Sequence, residues 1–229
     1  MFILLIIGIY LSMSYISFYN FLGQKHLLSP PHETKIMVGN SSSSQTIIYV
    51  ALGDSLTEGL GASDYKNSFP YLLTEKLSVK GSVQLYNLAR SGATSQDVVV
   101  TQLPKVLPLK PDLITLLIGT NDIHNLVSLK DFESNYRTIV ATLKKSEAKI
   151  YLFSIPYLGS DKIIYFPYKF ALEERTRQFN NVVKKVSSDY GFEYIDLYTV
   201  KKSANFYSSD EFHPSDEGYR EWLEVINVN

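Results

Sequence analysis

The sequence contains no cysteine in its 229 residues. Disulfides, thiolate metal sites, a cysteine nucleophile and a lipidated cysteine anchor are therefore excluded. The compartment stays open, because a chain without cysteine suits either side of a membrane. Excess charge is lacking too: 22 Lys and Arg against 23 Asp and Glu leave a formal net charge of -1. With no basic stripe interleaved with aromatics, there is no electrostatic case for a nucleic-acid partner. No internal repeat is present. A hydrophobic share of 45% and a charged share of 20% are those of a folded globular chain, and the length suits one domain with an appendage.

Charge is missing altogether from Met1 to Gln24, a run rich in Ile, Leu, Phe, Tyr, Met and Ser. The run is long enough to cross a bilayer as a helix. It lacks a basic start and a clear small-residue cleavage site, so residues 1–24 are expected to be an uncleaved membrane anchor, with a cleaved signal segment and secretion as the alternative. Lys25 and Lys35 beyond the span would draw the body towards the cytoplasm by the positive-inside rule. An apolar N-terminal segment followed by a polar spacer is the layout of export, and the body is expected outside the cytoplasm. Residues 25–45, with Ser29-Pro30-Pro31 and a polar run from Asn40 to Ser44, read as a flexible linker. His26 and His32 there read as solvated residues rather than metal ligands. Asn40-Ser41-Ser42 matches a glycosylation acceptor that matters only in a eukaryotic secretory pathway.

From Thr46 to the C-terminus, residues 46–229, strand and helix patterns alternate. Strands are expected at Thr46–Leu52, Val83–Ala89, Asp112–Ile118, Lys149–Ile155 and Phe192–Leu197. Helices are expected at Tyr65–Ser78, Thr94–Leu107 with a break near Pro104, Leu129–Ser146, Lys169–Asp189 and Ser215–Val225. Nearly all-apolar strands separated by helices imply an α/β fold with a parallel sheet buried on both faces. Right-handed crossovers then gather the C-terminal ends of the strands on one edge, where such folds bind ligands.

Three strand ends carry polar, turn-forming groups: Gly53-Asp54-Ser55, Ser91-Gly92-Ala93 and Gly119-Thr120-Asn121-Asp122. Each alone is an ordinary loop. Together they offer a hydroxyl nucleophile at Ser55 and hydrogen-bond donors at the Ser55 and Gly92 backbone and the Asn121 amide, the parts of an oxyanion hole. A serine needs a base, and Asp210-Glu211-Phe212-His213-Pro214 places a carboxylate three residues before a histidine that it could orient. Asp210 and His213 could otherwise cap the last helix or stay solvated, but beside the three strand-end motifs the catalytic reading prevails. His124 is the rival base, without an acidic partner as well placed. Asp54 reads as a turn-stabilising acceptor, Asn87 as a support of the Gly92 loop, and Glu58 and Tyr65 as scaffold or substrate contacts. Glu211 should point away from the site if Asp210 points in. Tyr157, Tyr165, Phe166, Tyr168 and Phe170 could line an acyl-binding lid or cover the sheet edge.

Gly53-Asp54-Ser55-Leu56, Gly92 within Asn87-Leu88-Ala89-Arg90-Ser91-Gly92, Gly119-Thr120-Asn121-Asp122 and Asp210-Glu211-Phe212-His213 resemble, in order, the four blocks of the SGNH/GDSL hydrolases. The resemblance runs from Thr46 to Val228. It implies a three-layer, flavodoxin-like α/β/α sandwich around a mostly parallel five-stranded sheet, and cofactor-independent hydrolysis of carboxylic esters. It also implies Ser55, His213 and Asp210 as a catalytic triad, with Ser55, Gly92 and Asn121 as the oxyanion hole. The expected substrate is a small-molecule or lipid ester, with no metal. Carbohydrate O-deacetylation and thioester hydrolysis are the competing chemistries, and a membrane-tethered binding module without catalysis is the competitor from another class.

Overall fold

Five apolar segments form the expected parallel sheet because each pairs along most of its length with a neighbour of the same direction. The computed structural model describes residues 2–24, 34–39, 46–79, 81–157 and 159–228. The chain opens with α1 (Phe2–Gln24) and β1 (Lys35–Gly39), followed by β2 (Thr46–Gly53), α2 (Ser55–Glu58), α3 (Phe69–Ser78), β3 (Ser82–Asn87) and α4 (Ser95–Asp97). Then come β4 (Leu113–Leu117), α5 (Thr120–His124), α6 (Leu129–Leu143), β5 (Lys149–Phe153), α7 (Tyr168–Tyr190), β6 (Glu193–Ile195) and α8 (Asp216–Val225). The sheet order is β1-β3-β2-β4-β5-β6. Among β2 to β6 every pairing is parallel. The five parallel strands thus have the doubly wound order of flavodoxin-like folds, with the reversal of winding beside β2.

The helices close both faces. α3 packs with α8 on one side, and α6 packs with both α4 and α7 on the other. All of β4 is buried, as a strand covered on two faces requires. On one side Phe69 meets Phe153 and Trp222, with ring centroids at 5.5 and 6.3 Å. Phe132 and Phe179 meet at 4.5 Å between α6 and α7. Local chemistry sets the helix ends: Ser128 and Ser215 accept from backbone N–H groups at the starts of α6 and α8, and Gly191 closes α7 in the left-handed conformation.

Three expectations change. The sheet has a sixth strand: β1 runs antiparallel along β3, with Lys35 opposite Tyr86 and Gly39 opposite Ser82. It lies within the stretch expected to be a flexible linker; apart from Thr34 the rest of that stretch, with His26, His32 and Asn40, lies outside the described residues. Lys35-Ile36-Met37-Val38-Gly39 alternates exposed and half-buried positions, a period of two too short to stand out beside Pro- and Ser-rich neighbours. Second, the helix expected over Thr94–Leu107 breaks into α4, a π-helical turn at Val98–Gln102 and 3-10 turns at Leu103–Lys105 and Leu107–Leu109. Pro104 and Pro108 lack the N–H that would continue the α-helical ladder.

Third, the structure does not support the expected membrane anchor. The side chains of α1 are described from Leu5 to Phe21, and among the described residues no helix is long and apolar enough to cross a membrane. Instead α1 docks on the body. Phe18 is fully buried, and the Tyr19 hydroxyl donates to the His124 carbonyl at 2.8 Å.

Candidate active site

Ser55 is the first residue of α2, immediately after β2. Asp54 caps that helix, its Oδ1 accepting from Leu56 N–H at 3.0 Å. Gly53 makes the turn possible: a side chain there would collide with Thr57 Oγ1 and the Leu117 carbonyl. The Gln102 amide grips the same glycine from both sides, accepting from Gly53 N–H at 3.0 Å and donating to its carbonyl at 2.8 Å.

β3, β2 and β4 are adjacent, so the loops after them share one edge of the sheet. Side chains tie these loops together. Glu58 Oε2 accepts from both Ser91 N–H and Ser91 Oγ at 2.5 Å, joining α2 to the Gly92 loop. Asn87 Nδ2 donates to the Thr57 carbonyl at 2.8 Å while its Oδ1 accepts from Ala89 N–H at 3.2 Å. Asn121 Nδ2 donates to the Ala93 carbonyl at 2.9 Å, and an amide nitrogen carries a second N–H. Asp122 accepts from Ser95 N–H at 2.8 Å and Ser95 Oγ at 2.5 Å. Gly92 is exposed with φ +80, and nothing lies within 4 Å of the position a side chain would take, so its backbone borders open space at the cleft edge.

The C-terminal segment reaches the same edge. His213 Nε2 lies 3.0 Å from Ser55 Oγ, and its Nδ1 lies 2.5 Å from Asp210 Oδ2. The other Asp210 oxygen, Oδ1, accepts from Ser208 Oγ at 2.7 Å, Phe212 N–H at 3.0 Å and His213 N–H at 2.9 Å. Burial alone would raise the Asp210 carboxyl. The bond to His213, its charge and the bonds from Phe212 and Ser208 outweigh that and hold it below its ordinary value. Glu211 points away, as expected, to a 2.6 Å ion pair with Lys162.

His124 does not pair with the serine. Its Nδ1 lies 3.0 Å from the Tyr168 hydroxyl, and its ring stacks on Phe18 at 5.0 Å. Burial first, then the charges of Arg175 and His213, lower it to about 4, so near neutral pH it is an uncharged packing residue. The expected aromatic cluster divides: Tyr168 is buried, whereas Tyr165, Phe166 and Phe170 are exposed. Among the described residues no group of three His, Asp or Glu could hold a metal ion.

The sequence does not point to Gln102 or Ser95, offers Asp122 only as the last residue of the Gly119 block, and reads Glu58 as scaffold or a substrate contact rather than as a tie to Ser91. The missing signal is the partner: each reaches a loop from another strand. A polar residue in an otherwise apolar stretch is the one hint, and Gln102 after Val98-Val99-Val100 fits it.

Asp54 carries a testable electrostatic consequence. It is fully buried, its Oδ2 has no hydrogen-bond partner, and burial above all raises its carboxyl to about 7 from the ordinary 3.8. Between those values the folded protein holds a proton that the unfolded chain has released, so this group's contribution to stability falls as pH rises through the window. Asp54→Asn keeps the acceptor for Leu56 N–H and removes the titration. The variant should gain on the wild type by up to about 1.4 kcal/mol per pH unit from about pH 4 to about pH 7. Urea unfolding at stepped pH reads this, and parallel pH profiles for the two proteins would contradict it.

The model of the GDSL-like lipase/acylhydrolase family matches residues 51–221. The chain is 27% identical to the spore germination lipase LipC of Bacillus licheniformis, over 80% of this chain and 96% of that protein. It is 25% identical to a multidomain esterase of Ruminococcus flavefaciens over 81% of its own length, spanning only 29% of that longer protein. A lipase/acylhydrolase structure from Enterococcus faecalis superposes with TM-score 0.65 at 23% identity, covering 79% of this chain and 93% of that one.

Proposed function

The chain belongs to the GDSL-like lipase/acylhydrolase family and is a carboxylic ester hydrolase, and from that premise we propose that it works through a Ser55–His213–Asp210 triad and an acyl-enzyme. One observation carries the assignment: the relay of contacts from Ser55 Oγ to His213 Nε2 at 3.0 Å and from His213 Nδ1 to Asp210 Oδ2 at 2.5 Å. In the first step Ser55 Oγ attacks the ester carbonyl while its proton passes to His213 Nε2. The carbonyl oxygen takes up the negative charge. Ser55 N–H, Gly92 N–H and the Asn121 amide are the donors proposed to face that oxygen. Collapse breaks the bond to the leaving alcohol, which receives the proton from His213 and leaves Ser55 acylated. Water then enters, gives a proton to His213 and attacks the acyl carbon; the second collapse returns the proton to Ser55 Oγ and releases the carboxylic acid. Asp210, held by three other donors, fixes the His213 tautomer and offsets the imidazolium charge.

The test is hydrolysis of acetyl and butyryl aryl esters by the full chain, with fluorophosphonate labelling mapped to a residue. Labelling at Ser55 with turnover is the expected result. Turnover with the label elsewhere would reject the nucleophile, and an inert chain would favour a non-catalytic binding role. Asn121→Ala should lower kcat by about 100- to 1,000-fold, on the order of 3 kcal/mol of barrier, through the loss of one oxyanion donor. Its thermal unfolding should stay cooperative, because the deleted amide makes one bond to the partly buried loop at Ala93. An unchanged kcat would remove Asn121 from the mechanism.

A further inference from the structure

Two cations converge on a cavity that borders the Gly92 loop. The cavity measures ≈ 480 Å³, within the range of small-ligand sites. One wall is the loop after β3, with Arg90, Ser91 and Gly92; the other is the broken helical segment that follows, with Asp97, Thr101 and Lys105. The four-residue spacing of those three puts them on one side of successive turns, facing the loop. Gly92, whose N–H is proposed to face the carbonyl oxygen, is therefore part of the wall. What fills the cavity lies beside a reacting ester.

The neutral groups of the wall are already engaged. Ser91 gives both its N–H and its hydroxyl to Glu58, and Thr101 Oγ1 donates to the Asp97 carbonyl at 2.7 Å. Asp97 Oδ2 accepts from Thr94 N–H at 2.8 Å and from Thr94 Oγ1 at 2.7 Å. The cations are not so committed. Arg90 Nη1 donates to the Ala89 carbonyl at 2.8 Å, and a guanidinium has four further N–H donors. Among the described residues neither Arg90 nor Lys105 takes part in an ion pair, whereas Arg137, Lys162, Lys169, Arg177 and Lys185 each hold a carboxylate. Glu58 binds Ser91 but is not part of the wall. Asp97 alone opposes the two cations there, so the cavity keeps an excess of positive charge.

We propose that this cavity takes an anionic group carried on the acyl side of the substrate, which makes Arg90 and Lys105 specificity-determining residues and names the substrate class as monoesters of dicarboxylic acids. The proposal rests on the ester-hydrolase mechanism above. The side of the ester follows from the path of the proton. The leaving alcohol must lie within reach of His213, and His213 is no part of the cavity wall, so the group beyond Gly92 is the acyl moiety. Charge rather than hydrocarbon area selects here, because the uncommitted side-chain donors are both cationic and a hydrogen bond from a cation to a carboxylate is stronger than a neutral one. Both cations are exposed, so the preference should weaken as salt screens them.

The test compares kcat/KM of the full chain for aryl esters of adipic and hexanoic acid, which share a carbon chain and differ in the terminal carboxylate. The wild type should prefer the adipyl ester at low ionic strength, and added sodium chloride should shrink that preference. Arg90→Gln and Lys105→Gln should each lower the adipyl-to-hexanoyl ratio by about fivefold, the scale of one exposed charge pair. Both side chains are exposed, so neither change threatens the fold. Lys130→Gln on α6 removes the same charge from an exposed residue that is no part of the wall, and it should leave the ratio unchanged. A wild type that prefers the hexanoyl ester, a ratio unmoved in both variants, or an equal fall in Lys130→Gln overturns the anion assignment, while Ser55-dependent turnover of the hexanoyl ester leaves the mechanism standing. Absence of turnover on both esters overturns both.

Discussion

Ser55→Ala should lower kcat/KM on an aryl ester by about a million-fold, the scale seen when a serine nucleophile is deleted from a triad. The substitution is clean. Ser55 opens α2, but the residue capping that helix is Asp54, so the turn loses no backbone support. The deleted oxygen makes one side-chain bond, to His213. His213 stays in place through Asp210, which accepts from both its ring and its backbone N–H. What remains after the loss is hydrolysis by water at a site that still binds and polarises the carbonyl, worth about 1,000- to 10,000-fold over solution. Steady-state turnover and loss of the fluorophosphonate adduct by intact-mass analysis read the effect together. Residual activity within about tenfold of wild type would show that Ser55 is not the nucleophile, since no second group could restore so much of the rate.

Asp210→Asn should lower kcat by about 10,000-fold while leaving the fold intact. The two carboxylate oxygens have separable tasks. Oδ1 collects the hydroxyl of Ser208 and the backbone N–H groups of Phe212 and His213, and so shapes the loop. Oδ2 faces His213 Nδ1 alone. Asparagine retains an oxygen for the loop but presents N–H groups where Oδ2 stood. Two donors cannot pair, so the imidazole carries its proton on Nε2 and can no longer accept one from Ser55. A melting temperature near that of wild type beside the collapsed kcat is the expected signature. A fall in both would mean that the loop, rather than the tautomer, was lost, and unchanged kcat would remove Asp210 from the triad.

The same division between local and distant causes explains what could be read before any coordinates. Ser55 and Asp210 belong to short motifs, and each is placed by its own neighbours. One general rule brings the residues after β2, β3 and β4 to one edge, since parallel strands are joined by right-handed crossovers, and the segment holding Asp210 arrives there after β6. Expected strands differed from observed ones by a few residues at their ends, as with Phe192–Leu197 against β6. Departures came where the local pattern was weak or broken. β1 alternates over only five residues, and its place depends on the free edge of β3. The segment around Pro104 and Pro108 keeps helical turns without one helix. Glu58 was legible as a polar neighbour of Ser55, but its bond to Ser91 depends on how two loops are set side by side.

The sequence by itself determined the class of fold, the strand order's working edge and the residue types gathered there, because hydrophobic period and turn chemistry act within about ten residues. Only the tertiary structure decided the ties between loops, the added strand and the docking of α1 against His124 and Phe212. These are pairings between segments far apart in the chain. An apolar helix such as Phe2–Gln24 carries the same letters whether a lipid or a protein surface covers it, and what it covers is settled by the surface that is there to receive it.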